Sequence, residues 1–386
     1  MFATLLALIY LCFISLGLPD ALLGSAWPTM VGALRVPLSA SGILFMIIAL
    51  GTVVSSLLSE RLICRWGAGR VTACSVGLTS IALLGFSLSS RFAQLCFWAI
   101  PYGLGAGSVD AALNNYVALH FASRHMSWLH CMWGVGALTG PMAMGAVLSR
   151  SQPWTMGYRI IALLQAALTL VLLLTLPLWR TRAEASEMHE PPHPPLRLRE
   201  TLSIPGALSV MLCFFCYCAL EQTVGLWASS WLVAHRGIDT VGAARFGGLF
   251  FIGITAGRGL CGFISYVLCD RQMVRLGAAL LGLGIALLLF PGHIALAGLI
   301  LIGAGCAPVY PSLIHATPAH FGAARSQAMI GLQMAAAYVG TAIMPPAFGL
   351  LSQILSLRLF PLMLLLLLLV MVFMHECLER QTRKIP

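Results

Sequence analysis

Long uncharged apolar runs recur along this chain from one end to the other. Each run lasts about twenty residues or more, the length that an α-helix needs to cross the hydrocarbon core of a bilayer. Hydrophobic residues make up 59% of the sequence and charged residues only 9%, whereas soluble domains contain about 25% charged residues. A soluble globular fold is therefore excluded. A membrane β-barrel is excluded as well, because barrel strands give alternating segments of only about ten residues.

The apolar runs predict twelve membrane-spanning helices, which we number segments 1 to 12. They cover residues 3–32, 38–59, 71–90, 93–121, 127–149, 158–179, 203–234, 244–267, 272–291, 293–315, 325–349 and 353–376. A polar, proline-rich stretch at 180–202 separates six segments from six and predicts a cytoplasmic linker. We therefore predict an all-α polytopic membrane protein with an N-terminal half (1–179) and a C-terminal half (203–386) that ends in a short tail.

Short matching patterns in the two halves indicate a duplicated six-helix unit. Asp20-x-x-x-Gly24 in segment 1 matches Glu221-x-x-x-Gly225 in segment 7. The run from Gly136 to Pro141 in segment 5 matches the run from Gly340 to Pro345 in segment 11. Since these and two further matches occur in the same order at similar offsets, they predict two pseudo-symmetric halves.

The basic residues predict the orientation of the chain. With both termini in the cytoplasm, fourteen Lys and Arg residues fall on the inner side and seven on the outer side, as the positive-inside rule requires. This topology accounts for the net charge of +10, so no nucleic-acid partner is expected. We predict a multi-pass monomer in the cell membrane (inner or plasma membrane), whose partners are the lipid bilayer and a small-molecule solute.

Three acids stand inside otherwise apolar segments: Asp20 in segment 1, Asp110 in segment 4 and Glu221 in segment 7. All other acids are expected in the gaps between segments. A carboxylate at mid-membrane costs about 2.5–3.5 kcal/mol on insertion scales, so such residues usually mark a path for ions or solutes. We predict that these acids bind protons or cations for coupling. The alternative is an acid paired with a base for structure, and Arg258 in segment 8 is the obvious buried base.

Polar and aromatic side chains accompany these acids on the same helical faces. Asp20 and Trp27 share one face of segment 1, and Asp110 and Asn114 share one face of segment 4. A carboxylate accepts hydrogen bonds and an amide both donates and accepts them, which suits the hydroxyl groups of a sugar. The predicted solute-binding residues are Trp27, Asn114, His130, Trp133, Gln222, Trp227 and Tyr310. For His130 a packing role is the alternative, and Trp231 is interpreted as an interface anchor.

Two further features concern helix shape. Gly136-x-x-x-Gly140-Pro141 is interpreted as an element for helix packing and bending. Pro308 and Pro311 predict a break in segment 10. Cys213, Cys216 and Cys218 are spread around their helix axis and are interpreted as buried structural cysteines, not as metal ligands.

These motifs resemble the major facilitator superfamily over essentially the full length. Arg65, Gly67 and Arg70 after segment 2, and Asp270 and Arg271 after segment 8, are similar to its loop motif Gly-x-x-x-Asp-Arg-x-Gly-Arg. Cys64 replaces the Asp of that motif, with Glu60 as the possible substitute. The resemblance implies that these residues, together with Arg258, serve conformational change.

Within the superfamily the chain most resembles the fucose–proton symporters and the sodium-dependent glucose transporter-like proteins. The similar elements include Asp20, the Asp110/Asn114 pair, Glu221 before Gly225, and the run Ala307-Pro-x-Tyr-Pro. The resemblance implies that Asp20 and Asp110 serve proton coupling and sugar recognition. The fucose symporter has Gln and Asn where this chain has His130 and Trp133, which argues against fucose itself as the solute.

We therefore predict a secondary active transporter and not an enzyme, with no metal and no cofactor. It would carry a small polar solute, such as a monosaccharide, in symport with H⁺ by alternating access, with Na⁺ as the alternative coupling ion. Two other functions remain open. One is a proton-coupled antiporter that exports drugs or metabolites, because the Gly136 element resembles an antiporter motif. The other is a membrane sensor that binds solute without moving it.

Overall fold

The computed structural model describes residues 2–20, 22–37, 40–179, 196–238, 240–291 and 294–382, and these are almost entirely helical. The helices of the first half are α1 (Phe2–Asp20), α2 (Leu22–Leu34), α3 (Ser41–Trp66), α4 (Ala68–Leu88), α5 (Phe92–His120), α6 (Ser123–Ser149) and α7 (Trp154–Leu174). Those of the second half are α8 (Leu198–Ser203), α9 (Ala207–Arg236), α10 (Thr240–Ile264), α11 (Asp270–Leu288), α12 (Ile294–His315), α13 (Thr317–Phe321), α14 (Ala323–Ile354) and α15 (Phe360–Thr382). The predicted all-α class is confirmed.

Within the described ranges, eleven helical stretches are long and apolar enough to cross a membrane. The long helix outside that group is α5, which spans 29 residues and carries Asp110, Asn114 and Asn115. Each of the twelve predicted segments therefore corresponds to a long helix. The helix α5 is also one of those on which the sequence predicts solute-binding residues.

Several helices continue beyond their apolar runs, and here the sequence prediction is wrong. The helix α3 continues to Trp66 and α15 continues to Thr382, so Glu60 and Glu379 lie in helices instead of in gaps, and Glu376, at the predicted end of segment 12, lies well inside α15. Each of these acids has a partner that is distant in the sequence. Glu60, for example, accepts a hydrogen bond of 3.1 Å from the backbone N–H of Leu196.

The predicted break in segment 10 is also wrong. The helix α12 runs from Ile294 to His315 with Pro308 and Pro311 inside it. Proline removes a backbone hydrogen bond, but membrane helices tolerate it where neighbouring helices pack against the site. Both prolines are buried, which meets that condition.

The chain divides into two compact units. Unit 1 consists of Met1–Tyr116 and Leu129–Leu196, and unit 2 of Val117–Trp128 and Arg197–Pro386. The short stretch Val117–Trp128, which joins α5 to α6, thus groups with the second half of the sequence. Of the predicted linker at 180–202, residues 180–195 lie outside the described part, and the remainder includes the short helix α8.

Glycines allow α1 and α6 of unit 1 to approach closely. A Cβ added to Gly136 would overlap the backbone carbonyl of Ile14, and one added to Gly140 would overlap that of Leu18. On the facing helix, a Cβ at Gly17 would overlap the carbonyl of Trp133. Helix backbones in membranes approach this closely only through small residues. The contact brings Asp20 of α1 and Trp133 of α6 together.

Candidate functional site

Asp20 is held between three helices of unit 1. It ends α1 as described here, and its carboxylate accepts hydrogen bonds from Tyr102 Oη of α5 at 3.1 Å and from Trp133 Nε1 of α6 at 2.8 Å. The residue is exposed. Two neutral donors thus orient the carboxylate without cancelling its charge, which leaves it able to bind a proton, a cation or a solute hydroxyl group.

A second acid, Asp110, belongs to a buried hydrogen-bonded chain. Asn114 Nδ2 donates to Asp110 Oδ1 at 2.8 Å, and Asn114 Oδ1 lies 3.1 Å from His130 Nε2. The exposures of Asp110, Asn114 and His130 are 5%, 0% and 6%. Because the amide oxygen can only accept, His130 must donate through Nε2. The chain is therefore acid, amide and imidazole in series.

The contacts of the exposed Asp20 and those of the buried Asp110–Asn114–His130 group involve the same three helices, α1, α5 and α6. Phe13 of α1 contacts the His130 ring edge-on at 5.4 Å, and Asp20 follows Phe13 by seven residues, or about 10 Å along a helix. On α6, His130 and Trp133 are one turn apart. The predicted residues Asp20, Asp110, Asn114, His130 and Trp133 are therefore brought into one region of unit 1, at two depths.

Glu221, the third acid, forms an ion pair within unit 2. Its Oε1 lies 3.5 Å from Nη2 of Arg258, and the two side chains are 17% and 5% exposed. The ion pair is the one that the structural alternative for the acids expects, and a coupling role for Glu221 stays a prediction. Its neighbour Gln222 is exposed.

Three aromatic residues predicted to bind solute also have contacts within the protein. Trp27 is 4% exposed in an apolar cluster and contacts Phe92. Trp227 Nε1 donates to the carbonyl of Pro345 at 2.9 Å. Tyr310 Oη donates to Met334 Sδ at 3.0 Å. Their role in solute binding stays a prediction.

The interpretation of Trp231 as an interface anchor is wrong. Its side chain is 1% exposed and packs against Phe360 of α15. The i, i+4 spacing of two tryptophans identifies a shared face, but it does not distinguish a face turned to lipid from one turned to a neighbouring helix.

The loop motif differs between the two halves of the sequence. Arg65 and Arg70 are exposed, as is Cys64, while Gly67 joins α3 to α4 with φ +79°. In the second half, Asp270 Oδ2 lies 2.6 Å from His315 Nδ1. Arg271 Nε lies 3.3 Å from Glu379 Oε2. Hence Asp270 has specific side-chain partners, whereas Cys64 presents no carboxylate at the matching place.

Two residues at these sites were missed by the sequence reasoning: Tyr102 and His315. Tyr102 lies two turns before Asp110 on the same helix, so its position on the polar face of segment 4 is a usable signal. The sequence gives no indication that His315 belongs to a site, because its partners Asp270 and Phe121 are distant in sequence. Among the described residues, no group of three His, Cys, Asp or Glu side chains could hold a metal ion.

Comparison with known proteins identifies the family. The sequence profile of the Major Facilitator Superfamily matches residues 9–295. An uncharacterised MFS-type transporter from Yersinia pestis is 26% identical over 331 residues, covering 82% of this chain and 80% of that protein. Because that relative is uncharacterised, it gives no information on which solute this chain binds.

Solved structures with the same fold extend over the whole chain. The fucose:proton symporter of E. coli has a TM-score of 0.74 at 14% identity, covering 96% of this chain and 97% of its own. A bacterial homologue of the iron transporter ferroportin has a TM-score of 0.76 at 13% identity, covering 98% and 99%. These likenesses confirm the twelve-helix transporter fold. The chain is a multi-pass membrane protein that belongs to the Major Facilitator Superfamily.

Proposed function

We propose that this chain is a proton-coupled symporter for a small polar solute, such as a monosaccharide, and that it works by alternating access in the cell membrane. The observation that carries the proposal is the Asp20 carboxylate, which is exposed and oriented by Tyr102 and Trp133. A carboxylate in this setting can exchange a proton with water and also accept a hydrogen bond from a solute hydroxyl group.

The buried chain supports a division of roles in unit 1. Asp110 and His130 are separated by the single amide of Asn114 and are almost fully buried. A group shielded from water in this way is suited to hold a proton during occlusion. Asp20, being exposed, is suited to exchange it. Glu221 forms the ion pair with Arg258, and a coupling role for it stays a prediction.

Two observations support a hydroxylated solute: the hydrogen-bonding groups around Asp20 and the fold shared with the fucose:proton symporter. The fucose:proton symporter shares the fold, but so does a ferroportin homologue at the same similarity, so the fold alone does not select the solute. The donors and acceptors at Asp20, Tyr102 and Trp133 suit a hydroxylated solute with an apolar face, because an indole ring can pack on sugar C–H groups while its N–H donates.

Uptake into proteoliposomes tests the proposal. Radiolabelled monosaccharides are offered to vesicles with an acidic exterior, and a pH-sensitive dye inside reports proton entry. We expect one of the sugars to accumulate above its external concentration and to carry protons inward. Asp20→Asn should abolish accumulation but keep exchange of labelled for unlabelled sugar, because the amide still binds a hydroxyl group but carries no proton.

Glu376→Gln is the matched control for Asp20→Asn in the uptake assay. Glu376→Gln removes an acid that is paired with Arg275 at 2.7 Å, far from Asp20 in sequence and in the other unit, and it should accumulate sugar as the native protein does. Proton exit during solute entry would show antiport instead. Saturable binding without any movement would show a sensor. Full accumulation by Asp20→Asn would remove Asp20 from coupling.

A further inference from the structure

The stretch Val117–Trp128, which we call the clasp, is attached to unit 2 by both polar and packing contacts. Ser123, which begins α6, donates its hydroxyl to Asp270 Oδ1. The clasp also supplies the carbonyl of Phe121, which lies 3.0 Å from His315 Nε2. The same imidazole meets Asp270 Oδ2 at 2.6 Å through Nδ1. His315 therefore bridges the clasp and the first residue of α11.

This geometry fixes the number of protons at the bridge. A backbone carbonyl oxygen only accepts hydrogen bonds, so Nε2 of His315 must carry a hydrogen. An ionised carboxylate also only accepts, so Nδ1 must carry one too. A neutral imidazole has a single N–H and would turn a bare nitrogen lone pair toward one of the two oxygens. The arrangement is satisfied when His315 is an imidazolium and Asp270 is ionised.

The other charged and titratable groups around the bridge face other partners. On α11, Arg271 lies against Glu379. On α13, His320 Nε2 lies 3.0 Å from Glu379 Oε1. On the clasp, the Arg124 guanidinium lies 4.9 Å over the ring of Tyr266.

His125, also on the clasp, packs edge-on against Trp128. The Asp270 carboxylate contacts the His315 ring directly. The charge that favours a protonated His315 is therefore that of Asp270.

Packing holds the clasp where the hydrogen bonds can act. The indole of Trp128 occupies the place that a Cβ at Gly262 of α10 would take, and it meets the ring of Phe263 edge-on at 5.8 Å. Since Gly262 has no side chain, the indole lies directly on the α10 backbone.

The clasp is continuous with the helices of the candidate site. It ends α5, which carries Asp110 and Asn114, and begins α6, which carries His130 and Trp133. A change in how firmly the clasp is held therefore acts on both helices that form the buried chain.

We propose that Asp270, His315 and the clasp form a proton-dependent latch. One proton on His315 ties the Phe121 carbonyl to the Asp270 carboxylate, and its loss breaks one of the two ties. The latch is closed at low pH and loosens as pH rises. By the arginine distribution it lies on the cytoplasmic side, so it would respond to cytoplasmic pH. The proposal does not depend on the identity of the solute or on proton coupling at Asp20.

Nitrogen NMR on the full-length protein in nanodiscs tests the protonation state. With isotope-labelled histidine, imidazolium and neutral ring nitrogens give distinct shifts, and the His315 signals are assigned by their loss in His315→Gln. We expect an imidazolium signature for His315 at about pH 6, persisting to higher pH than for an exposed histidine. A neutral His315 ring at that pH would overturn the proposal.

Hydrogen exchange of the clasp tests the mechanical consequence. After correction for intrinsic exchange rates, protection of the amides of 117–128 should fall by up to about tenfold per pH unit once His315 deprotonates, because one proton is linked to opening. In His315→Gln the protection should be low and independent of pH. His320→Gln, which removes another imidazole bonded to a carboxylate, should keep the native pH dependence.

Protection of the amides of 117–128 that does not change with pH in the native protein contradicts the latch. This measurement needs no variant, so it tests the proposal even if His315→Gln fails to fold. An equal slope in native protein and His315→Gln contradicts it as well. None of these measurements uses a solute, so they stand apart from the transport assay.

Discussion

Glu221 and Arg258 form an ion pair of 3.5 Å within unit 2, at exposures of 17% and 5%. Asp20 in unit 1 is exposed and accepts hydrogen bonds from two neutral donors. The two acids occupy matching positions in the predicted repeat, yet the structure gives them different electrostatic settings. Glu221 faces a guanidinium group, whereas the hydrogen-bond partners described for Asp20 are two neutral donors.

Arg258→Ala is expected to destabilise the protein strongly. Removing one member of a buried pair leaves the other charge uncompensated, at a cost of about 3–5 kcal/mol. Glu221→Gln together with Arg258→Met should be closer to the native stability than Arg258→Ala alone. Thermal unfolding in detergent, followed by tryptophan fluorescence, measures the order. Equal stability of the native protein and Arg258→Ala would contradict the pairing.

Gly136→Ala is expected to push α1 away from α6. The added methyl group would overlap the Ile14 carbonyl, and overpacking of this kind costs about 1–3 kcal/mol. Gly134→Ala is the matched control, because an added Cβ at Gly134 meets nothing within 4 Å. Thermal unfolding should show a lower midpoint for Gly136→Ala only. If both variants unfold alike, the close approach of these two helices is not what limits substitution.

Gly67→Ala is expected to destabilise through the backbone, without any steric clash of its side chain. Gly67 has φ +79° and ψ 154°, a region that only glycine adopts readily, and strain there costs about 1–3 kcal/mol. Nothing lies within 4 Å of an added Cβ at Gly67 or at Gly42 of α3. Gly42→Ala should therefore be neutral or slightly stabilising. A neutral Gly67→Ala in a thermal unfolding assay would show that the turn can rearrange.

Asn114→Leu is expected to break the buried chain. It removes a donor from Asp110 and an acceptor from His130, and an unsatisfied buried polar group costs about 1–3 kcal/mol. A double-mutant cycle with Asp110→Leu measures the coupling. The double variant should lose less stability than the two single losses added together. Strict additivity would mean that the contact between the amide and the carboxylate contributes nothing.

The sequence predicts the fold well because its main signal is local. Apolar runs of about twenty residues identify membrane helices one at a time. The sequence predicts helix ends less well. Glu60 and Glu379 are expected in gaps because a charge usually ends an apolar run, yet both lie inside helices and have partners that are distant in the sequence.

The site was predictable where its residues share a helix and not where they come from different ones. Asp110 and Asn114 are four residues apart, so their contact follows from helical spacing. The Asp20–Trp133 contact depends on how closely α1 and α6 pack. The Asp270–His315 contact depends on the position of α11 beside α12. Residue spacing along the sequence predicts neither the Asp20–Trp133 contact nor the Asp270–His315 contact. For the same reason it does not show that Trp227 and Tyr310 have partners on neighbouring helices.

Cys64 makes the loop motif of the first half chemically different from that of the second half. In the predicted repeat, Asp270 at the start of α11 corresponds to Cys64 near the end of α3. The Asp270 carboxylate contacts His315, and a thiol at the corresponding position offers no carboxylate for such a contact. A phenotype measured on one side should not be transferred to its counterpart; each must be established separately.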